Sequence, residues 1–138
     1  MFDQCLYFNT TALARQLERE WADAFKAFGL TAPQAFVLRA VLKQPGLLQR
    51  ELATQMGISR PTATRSLDTL AEKGLIERRA TPTDGRESAI HPTEAAVGML
   101  TALDEASGLV TRRLKSVLGE ASFTGTVAQL RAIRNALG

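Results

Sequence analysis

Two short helical segments, a brief link and a pair of short strands follow one another between residues 48 and 92. Apolar residues recur at helical spacing over residues 48–56 and again over residues 60–73. Gly57 lies in the link, where the absence of a Cβ suits the left-handed backbone of a tight turn. This order predicts a helix-turn-helix and constrains the fold more than any other feature of the chain.

The pattern then changes to that of β-structure. Residues 75–80 and 87–91 are typical of two short strands, and Pro82 and the pair Asp84-Gly85 between them are turn signals. We therefore expect a two-stranded ribbon directly after the helix-turn-helix.

Longer amphipathic segments flank this unit. Residues 5–28 carry one apolar helical stripe, and two more follow Pro92, the first of them interrupted by Gly108. A capping box at Thr31 and Gln34 predicts a further helix before the helix-turn-helix. The expected fold is mainly α, with the order α-α-α-α-β-β-α-α.

The flanking helices also predict a homodimer. A winged unit over residues 32–92 is too small to cover their three stripes, and pairing the terminal helices of two copies would bury them. We expect one domain over residues 1–138, in which residues 1–29 and 93–138 form the dimerisation helices.

The second helix of the motif has two different faces. Ala63, Leu67 and Leu70 share one face and are expected to pack inward. The other face carries hydroxyls, a guanidinium and a carboxylate, which are groups that bind phosphates and base edges. On an isolated helix such a face would simply be solvated, but the ribbon that follows favours DNA binding. The candidate DNA-binding residues here are Ser59, Arg60, Pro61, Thr62, Thr64, Arg65, Asp68 and Thr69.

The ribbon adds three candidates. A basic ribbon beside a recognition helix can straddle the DNA backbone and insert Arg86 into the minor groove. Asp84 would orient that arginine through a charge-assisted hydrogen bond. Arg78 on the first strand is a further candidate contact. An ordinary hairpin turn is the alternative, and the position after the helix-turn-helix favours a wing.

In combination these residues resemble the MarR family of bacterial and archaeal regulators. The matching positions are Glu51-Leu52-Ala53, Ile58-Ser59, Thr62, Thr64-Arg65, Leu70, Lys73-Gly74-Leu75-Ile76-Glu77-Arg78, Asp84-x-Arg86 and Thr93-Glu94-Ala95. The resemblance implies a triangular homodimer with interlocked terminal helices, and a regulator, expected to be a repressor, that binds palindromic DNA in adjacent major grooves. Leu48 departs from the family, which usually has a Ser or Thr cap there, and Ala63 replaces a bulkier aliphatic residue.

Composition adds weaker limits. The formal net charge is +3 at pH 7 and the pI is about 9.5, which leans towards a polyanionic partner. No apolar run approaches the ~18 residues of a membrane span, and no signal-peptide pattern opens the chain, so a cytoplasmic protein is expected. The single histidine, His91, lies beside Pro92, and one histidine with one cysteine argues against a zinc site. We expect no enzyme activity, no metal and no cofactor.

The signal that such a regulator senses stays open between two hypotheses. A small aromatic or amphipathic ligand would bind between the dimer arms and the winged unit, in a pocket lined by Phe8, Trp21, Phe25 and Phe36, although core packing also explains these rings. Alternatively, Cys5 would act as a redox sensor, although a cysteine in an apolar stripe is more often a buried, inert thiol. A winged helix used only for protein contacts is a third class of function.

Overall fold

The computed structural model describes residues 1–82 and 87–138 and confirms a mainly helical winged helix-turn-helix. Asp84 and Arg86, the predicted tip of the wing, lie outside the described residues. The elements are α1 (Leu6–Phe25), a 3₁₀ turn (Lys26–Phe28), α2 (Ala32–Lys43), β1 (Leu47–Leu48), α3 (Gln49–Met56), α4 (Arg60–Glu72), β2 (Ile76–Ala80), β3 (Ser88–Pro92), α5 (Glu94–Val97), α6 (Leu100–Leu118) and α7 (Glu120–Leu137).

Helix α2 begins at the predicted capping box. The backbone N–H of Gln34 donates to Thr31 Oγ1 at 3.3 Å, and the backbone N–H of Thr31 donates to Gln34 Oε1 at 3.0 Å. Two amide donors that the first turn would otherwise leave unpaired are satisfied in this way. The helix then buries Val37, Leu38 and Val41, which places it at the centre of the winged unit.

One hydrophobic core joins the winged unit to the arms, which are the flanking helices α1, α6 and α7. Its largest fully buried side chains are Phe25, Val37, Leu38, Val41, Leu52, Leu67, Leu70, Ile90 and Leu103. These residues come from α1, α2, α3, α4, β3 and α6, so the core fixes the helix-turn-helix against the sheet. Burial of each such aliphatic or aromatic side chain contributes roughly 1.5–3 kcal/mol.

The sheet has three strands in the order β1-β3-β2. The predicted ribbon of two strands corresponds to β2 and β3, and β1 was not predicted. Leu47 pairs with Ile90 and Leu48 with Ala89 in antiparallel register. Leu48 was predicted to begin the helix, whereas it lies in β1 and α3 begins at Gln49. A two-residue strand is too short to produce a period in the sequence, and only its pairing with β3 reveals it.

The helix expected after Pro92 is divided into α5 and α6. The interruption lies at Gly98 and Met99, whereas α6 continues through Gly108. Glycine lowers the stability of a helix interior, yet Gly108 lies within α6, next to the buried Ser107. No described helix is long and apolar enough to cross a membrane.

Polar contacts fasten α6 to the rest of the molecule. Trp21 Nε1 donates to Ser107 Oγ at 3.0 Å, which joins α1 to α6. Arg39 Nε donates to Asp104 Oδ1 at 2.8 Å, and Lys43 Nζ lies 3.4 Å from the same oxygen, which joins α2 to α6. Burial alone would raise the pKa of Asp104, but the hydrogen bonds and positive charges of Arg39 and Lys43 lower it below its ordinary value.

Candidate nucleic-acid interface and adjoining cleft

Helix α4 is oriented as the sequence predicts. Ser59 caps it, accepting at 3.2 Å from the backbone N–H of Thr62. The inward residues Ala63, Leu67 and Leu70 are each 0% exposed, whereas Arg65 is exposed. Of the other predicted contacts, the exposed ones are Ser59, Arg60, Pro61 and Asp68, and the partly buried ones are Thr62, Thr64, Thr69 and Arg78.

Thr64 faces α3 and is engaged within the protein. Gln49 Nε2 donates to Thr64 Oγ1 at 2.8 Å, and Thr64 Oγ1 donates to the carbonyl oxygen of Arg60 at 2.9 Å. These bonds hold the first helix of the motif against the second. The role of Gln49 as a partner of Thr64 was not predicted, because the two residues are 15 positions apart and no local pattern joins them.

Thr62 lies on the opposite flank of α4, towards α1 and α2. Its Oγ1 accepts from Ser59 Oγ at 2.8 Å, and Arg65 Nη2 lies 3.4 Å from the same oxygen. Thr69 Oγ1 donates to the carbonyl oxygen of Arg65 at 3.1 Å. Thr62, Thr64 and Thr69 were predicted to contact DNA, and their hydroxyls all have partners inside the protein. Arg65 is the long side chain at the centre of the exposed face.

A salt bridge joins β2 of the wing to α4. Arg78 Nη2 on β2 donates to Asp68 Oδ1 on α4 at 2.7 Å and approaches the carbonyl oxygen of Thr64 at 3.5 Å. An unpaired carboxylate on this face would repel phosphate groups, and the guanidinium offsets that charge. Arg78 therefore pairs with Asp68 on the exposed side of α4 and does not project freely from the strand.

We expect Arg78→Ala to lower DNA affinity more than the removal of one distant positive charge would lower it. The reason is that Asp68 would then face the phosphates unpaired. Asp68→Ala in the same chain is expected to restore part of the affinity. A double-mutant cycle of DNA affinity over the two single variants and the double variant measures this coupling. Additive effects would contradict it. The pair is partly exposed, so its loss should cost only about 0.2–1 kcal/mol of folding stability.

Two further groups adjoin this face at the start of α3. Leu48, the N-cap residue, makes no side-chain cap, as its replacement of Ser or Thr predicts. Glu87 Oε1 instead accepts from the backbone N–H of Arg50 at 3.4 Å. A residue beside β3 therefore satisfies an amide in the first turn of α3. The side chains of Arg50 and Arg60 line the same shallow depression, which puts two guanidinium groups between α3 and α4. Only the folded structure brings Arg50 to this surface.

An apolar cleft of about 420 Å³ lies between α1, α2 and the side of α4 that carries Thr62. Its lining residues are Ala14, Leu17, Glu18, Trp21, Ala32, Pro33, Phe36, Val37, Met56, Ile58, Thr62 and Ser66. Trp21 and Phe36, two of the rings predicted to form a ligand pocket, meet here with ring centroids 6.4 Å apart. The recognition helix therefore forms one wall of the cleft.

The other two predicted pocket rings lie elsewhere. Phe25 is 0% exposed and packs edge-on against Phe36 in the core, with ring centroids 5.9 Å apart, so it supports the cleft from behind without lining it. Phe8 contacts Phe2 near the start of α1, with ring centroids 5.5 Å apart, and does not line the cleft. Ser66 is a lining residue that the sequence analysis missed, because its position beside α1 depends on packing.

Cys5 is exposed, contrary to the expectation of a buried thiol. Its Sγ accepts from the backbone N–H of Phe8 at 3.5 Å and so caps α1. His91 is partly buried within β3, and its ring lies 3.4 Å from the position that a Cβ on Gly46 would take. Among residues 1–82 and 87–138, no group of three or more His, Cys, Asp and Glu side chains could hold a metal ion.

Comparison with known sequences gives a consistent family. The family model described as the MarR family matches residues 28–87, from the turn before α2 to the start of β3. A protein of Thauera aromatica, described as a transcriptional regulatory protein for the hcr operon, is 32% identical over 102 residues. That match covers 68% of this chain and 61% of the relative, so the chain spans less than two thirds of that protein's length.

Solved structures share the fold over nearly the whole chain. The MepR–DNA complex of Staphylococcus aureus has a TM-score of 0.85 at 20% identity and covers 97% of this chain and 99% of its own. A MarR-family regulator of Listeria monocytogenes, complexed with 26mer DNA, has a TM-score of 0.84 at 19% identity, over 97% and 89% of the two chains.

PcaV of Streptomyces coelicolor, a transcriptional regulator in complex with its natural ligand, has a TM-score of 0.82 at 22% identity, over 100% and 97% of the two chains. The shared fold extends through the terminal helices, beyond the region that the family model matches. Together with the geometry of α4, these comparisons show that residues 28–87 match the MarR family in sequence and that the chain shares the fold of the solved structures over nearly its whole length.

Proposed function

We propose that this chain is a transcriptional regulator that binds specific sequences of double-stranded DNA through α4 and the wing. The observation that carries the proposal is the exposed face of α4, on which Arg65 projects while Gln49 and Arg78 hold the helix from its wing side. A rigid helix with exposed arginine at its centre suits the major groove, where arginine binds guanine O6 and N7. The structures of MepR and of the Listeria monocytogenes regulator, both solved with DNA, support DNA binding by this fold.

The active form in this proposal is a homodimer on a palindromic operator. Helix α7 buries none of its residues within the chain. Exposed apolar side chains continue along the arms at Leu6, Leu13, Leu109, Val117, Leu118, Val127, Leu130 and Leu137. Soluble proteins rarely leave such a contiguous apolar surface open, and a second copy of the same helices would cover it. Residues 1–29 and 93–138 then form the dimerisation helices, and residues 32–92 the winged unit.

Ligand binding in the cleft would release the DNA, and the regulator would act as a repressor by occupying its operator. Thr62 and Ser66 of α4 face Leu17 and Trp21 of α1 across the cleft. A ligand that fills this space in one position of α4 and not in another shifts the equilibrium between them. PcaV, solved with its natural ligand, supports a small-molecule effector for a protein of this fold.

The proposal is tested by selecting genomic fragments on the purified protein and measuring affinity for the selected sequence against salt. Each phosphate that the protein neutralises contributes about −0.9 to the slope of log K against log salt. We expect a slope of several units and a selected sequence with inverted symmetry. A slope near zero would instead support a winged helix used only for protein contacts.

Redox sensing through Cys5 is a second candidate, favoured by the exposure of that thiol at the start of an arm helix. In this version peroxide, and not a cleft ligand, lowers DNA affinity. Comparing the parent with Cys5→Ser before and after peroxide tests the idea. Loss of binding in the parent alone supports the thiol switch, and equal behaviour of the two proteins removes it.

A further inference from the structure

We infer that the effector accommodated by the cleft is a cationic amphiphile, an apolar or aromatic body that carries a protonated amine, and not an aromatic acid. This inference rests on the proposed function for the role of the cleft, but it concerns the charge of the ligand alone. It follows from the kinds of side chain that line the cleft and from the charged groups that stand around it.

The walls supply the apolar part of the site. Leu17 and Trp21 from α1, Phe36 from α2, and Met56 and Ile58 from the end of the first motif helix and the turn form a nearly continuous hydrophobic surface. A volume of about 420 Å³ is that of a site for a small organic molecule with one or two rings.

Glu18 is the charged residue among the lining residues, and no lysine, arginine or histidine lines the described cleft. Glu18 is exposed, and no hydrogen bond or ion pair joins its side chain to the described residues. Lys26 shares with it a neighbouring depression outside the cleft. A ligand carboxylate placed here would meet a like charge with no cation to balance it, whereas an ammonium group would meet an unused carboxylate.

The remaining polar and aromatic groups are compatible with the same ligand. Ser66 lines the α4 side, and its hydroxyl oxygen can accept from an ammonium group. Trp21 uses its ring N–H on Ser107, which leaves the face of the indole available. That indole face can attract a cation.

Three arginines near the cleft are absent from its lining. Arg134 is one of them, and its Nη2 lies 3.2 Å from the position that a Cβ on Gly57 would take, beside the lining residues Met56 and Ile58. Arg39 lies 5.0 Å from the centre of the Phe36 ring and is bound to Asp104, and it does not line the cleft. Arg65 approaches the Thr62 hydroxyl at 3.4 Å from the exposed face of α4, and it too is absent from the lining. None of these three guanidinium groups lines the space between α1 and α2.

Three probes with the same apolar body and different charge test the inference on the full chain: phenylpropylamine, phenylpropanol and phenylpropanoate. Trp21 is the single tryptophan and lines the cleft, so its fluorescence reports occupancy directly. We expect the amine to bind about tenfold more tightly than the carboxylate, with the alcohol between them, because Glu18 attracts an ammonium group and repels a carboxylate at this partly exposed site. Thermal shift gives an independent measure of the same order.

Glu18→Gln should bring the affinities of the amine and the alcohol together without changing that of the alcohol. Glu105→Gln, an exposed acid on α6 away from the cleft, is the matched control and should keep the preference. Equal or tighter binding of the carboxylate, an unchanged preference in Glu18→Gln, or no binding of any probe would each overturn the inference. DNA affinity without probe is measured in parallel, so failure of the DNA-binding proposal is recognised separately.

Discussion

The double variant Val127→Asp and Leu130→Asp is expected to be a folded monomer that binds a palindromic operator about 10²- to 10⁴-fold more weakly than the parent. The two residues lie on α7, are 42% and 38% exposed, and present adjacent apolar side chains on one face of the helix. In the proposed dimer this face is covered by the second copy. Two buried, unpaired carboxylates there would cost far more than the contact contributes.

The loss of DNA binding follows from geometry. Once one α4 of a dimer is bound, the second half-site is held at a high effective concentration for the other α4. A monomer loses that advantage while keeping its own recognition helix intact. Because α7 contributes no buried residue within the chain, the core around Leu38 and Leu67 should fold normally in the variant.

Sedimentation velocity and operator titration measure the two effects together. The matched control is Gln129→Asp with Asn135→Asp, which adds the same two negative charges at exposed polar positions of the same helix. The control should remain a dimer with near-parental affinity. If the apolar-face variant still forms dimers, the arms do not pair through this face of α7, and the proposed assembly is wrong.

Arg65→Ala is expected to cost roughly 1–3 kcal/mol of binding free energy on the selected operator and to relax sequence preference at one position of each half-site. Arg65 is the exposed arginine at the centre of the α4 face, and its guanidinium makes one long contact, to Thr62 at 3.4 Å. Little protein structure has to change for it to reach a base edge. Removal should therefore leave the thermal stability of the fold almost unchanged.

Arg19→Ala is the control, since it removes the same charge from an exposed position on α1. Affinities for the operator and for operators with each base pair replaced separate a base contact from a general charge effect. A base contact predicts a large loss on the operator and a small one on unrelated DNA. Equal losses on both would make Arg65 a phosphate contact, and parental affinity would place the DNA surface elsewhere.

The sequence by itself determined the local parts of this protein. The capping box at Thr31, the cap at Ser59 and the inward face of Ala63, Leu67 and Leu70 were all predicted and are confirmed. These features depend on residues at most four positions apart or on a helical period, so they can be read directly along the chain. The family motif combines many such signals, and for that reason the fold class was also predicted correctly.

Only the tertiary structure decided which neighbour each face meets. A helical wheel places Thr62 and Thr64 on the flanks of α4, but it does not show that one borders the cleft and the other binds Gln49. The third strand, the burial of Phe25 and the exposure of Cys5 likewise depend on segments distant in sequence. Such contacts are set by how whole helices pack, because packing energy belongs to the assembled core and has no local pattern along the chain.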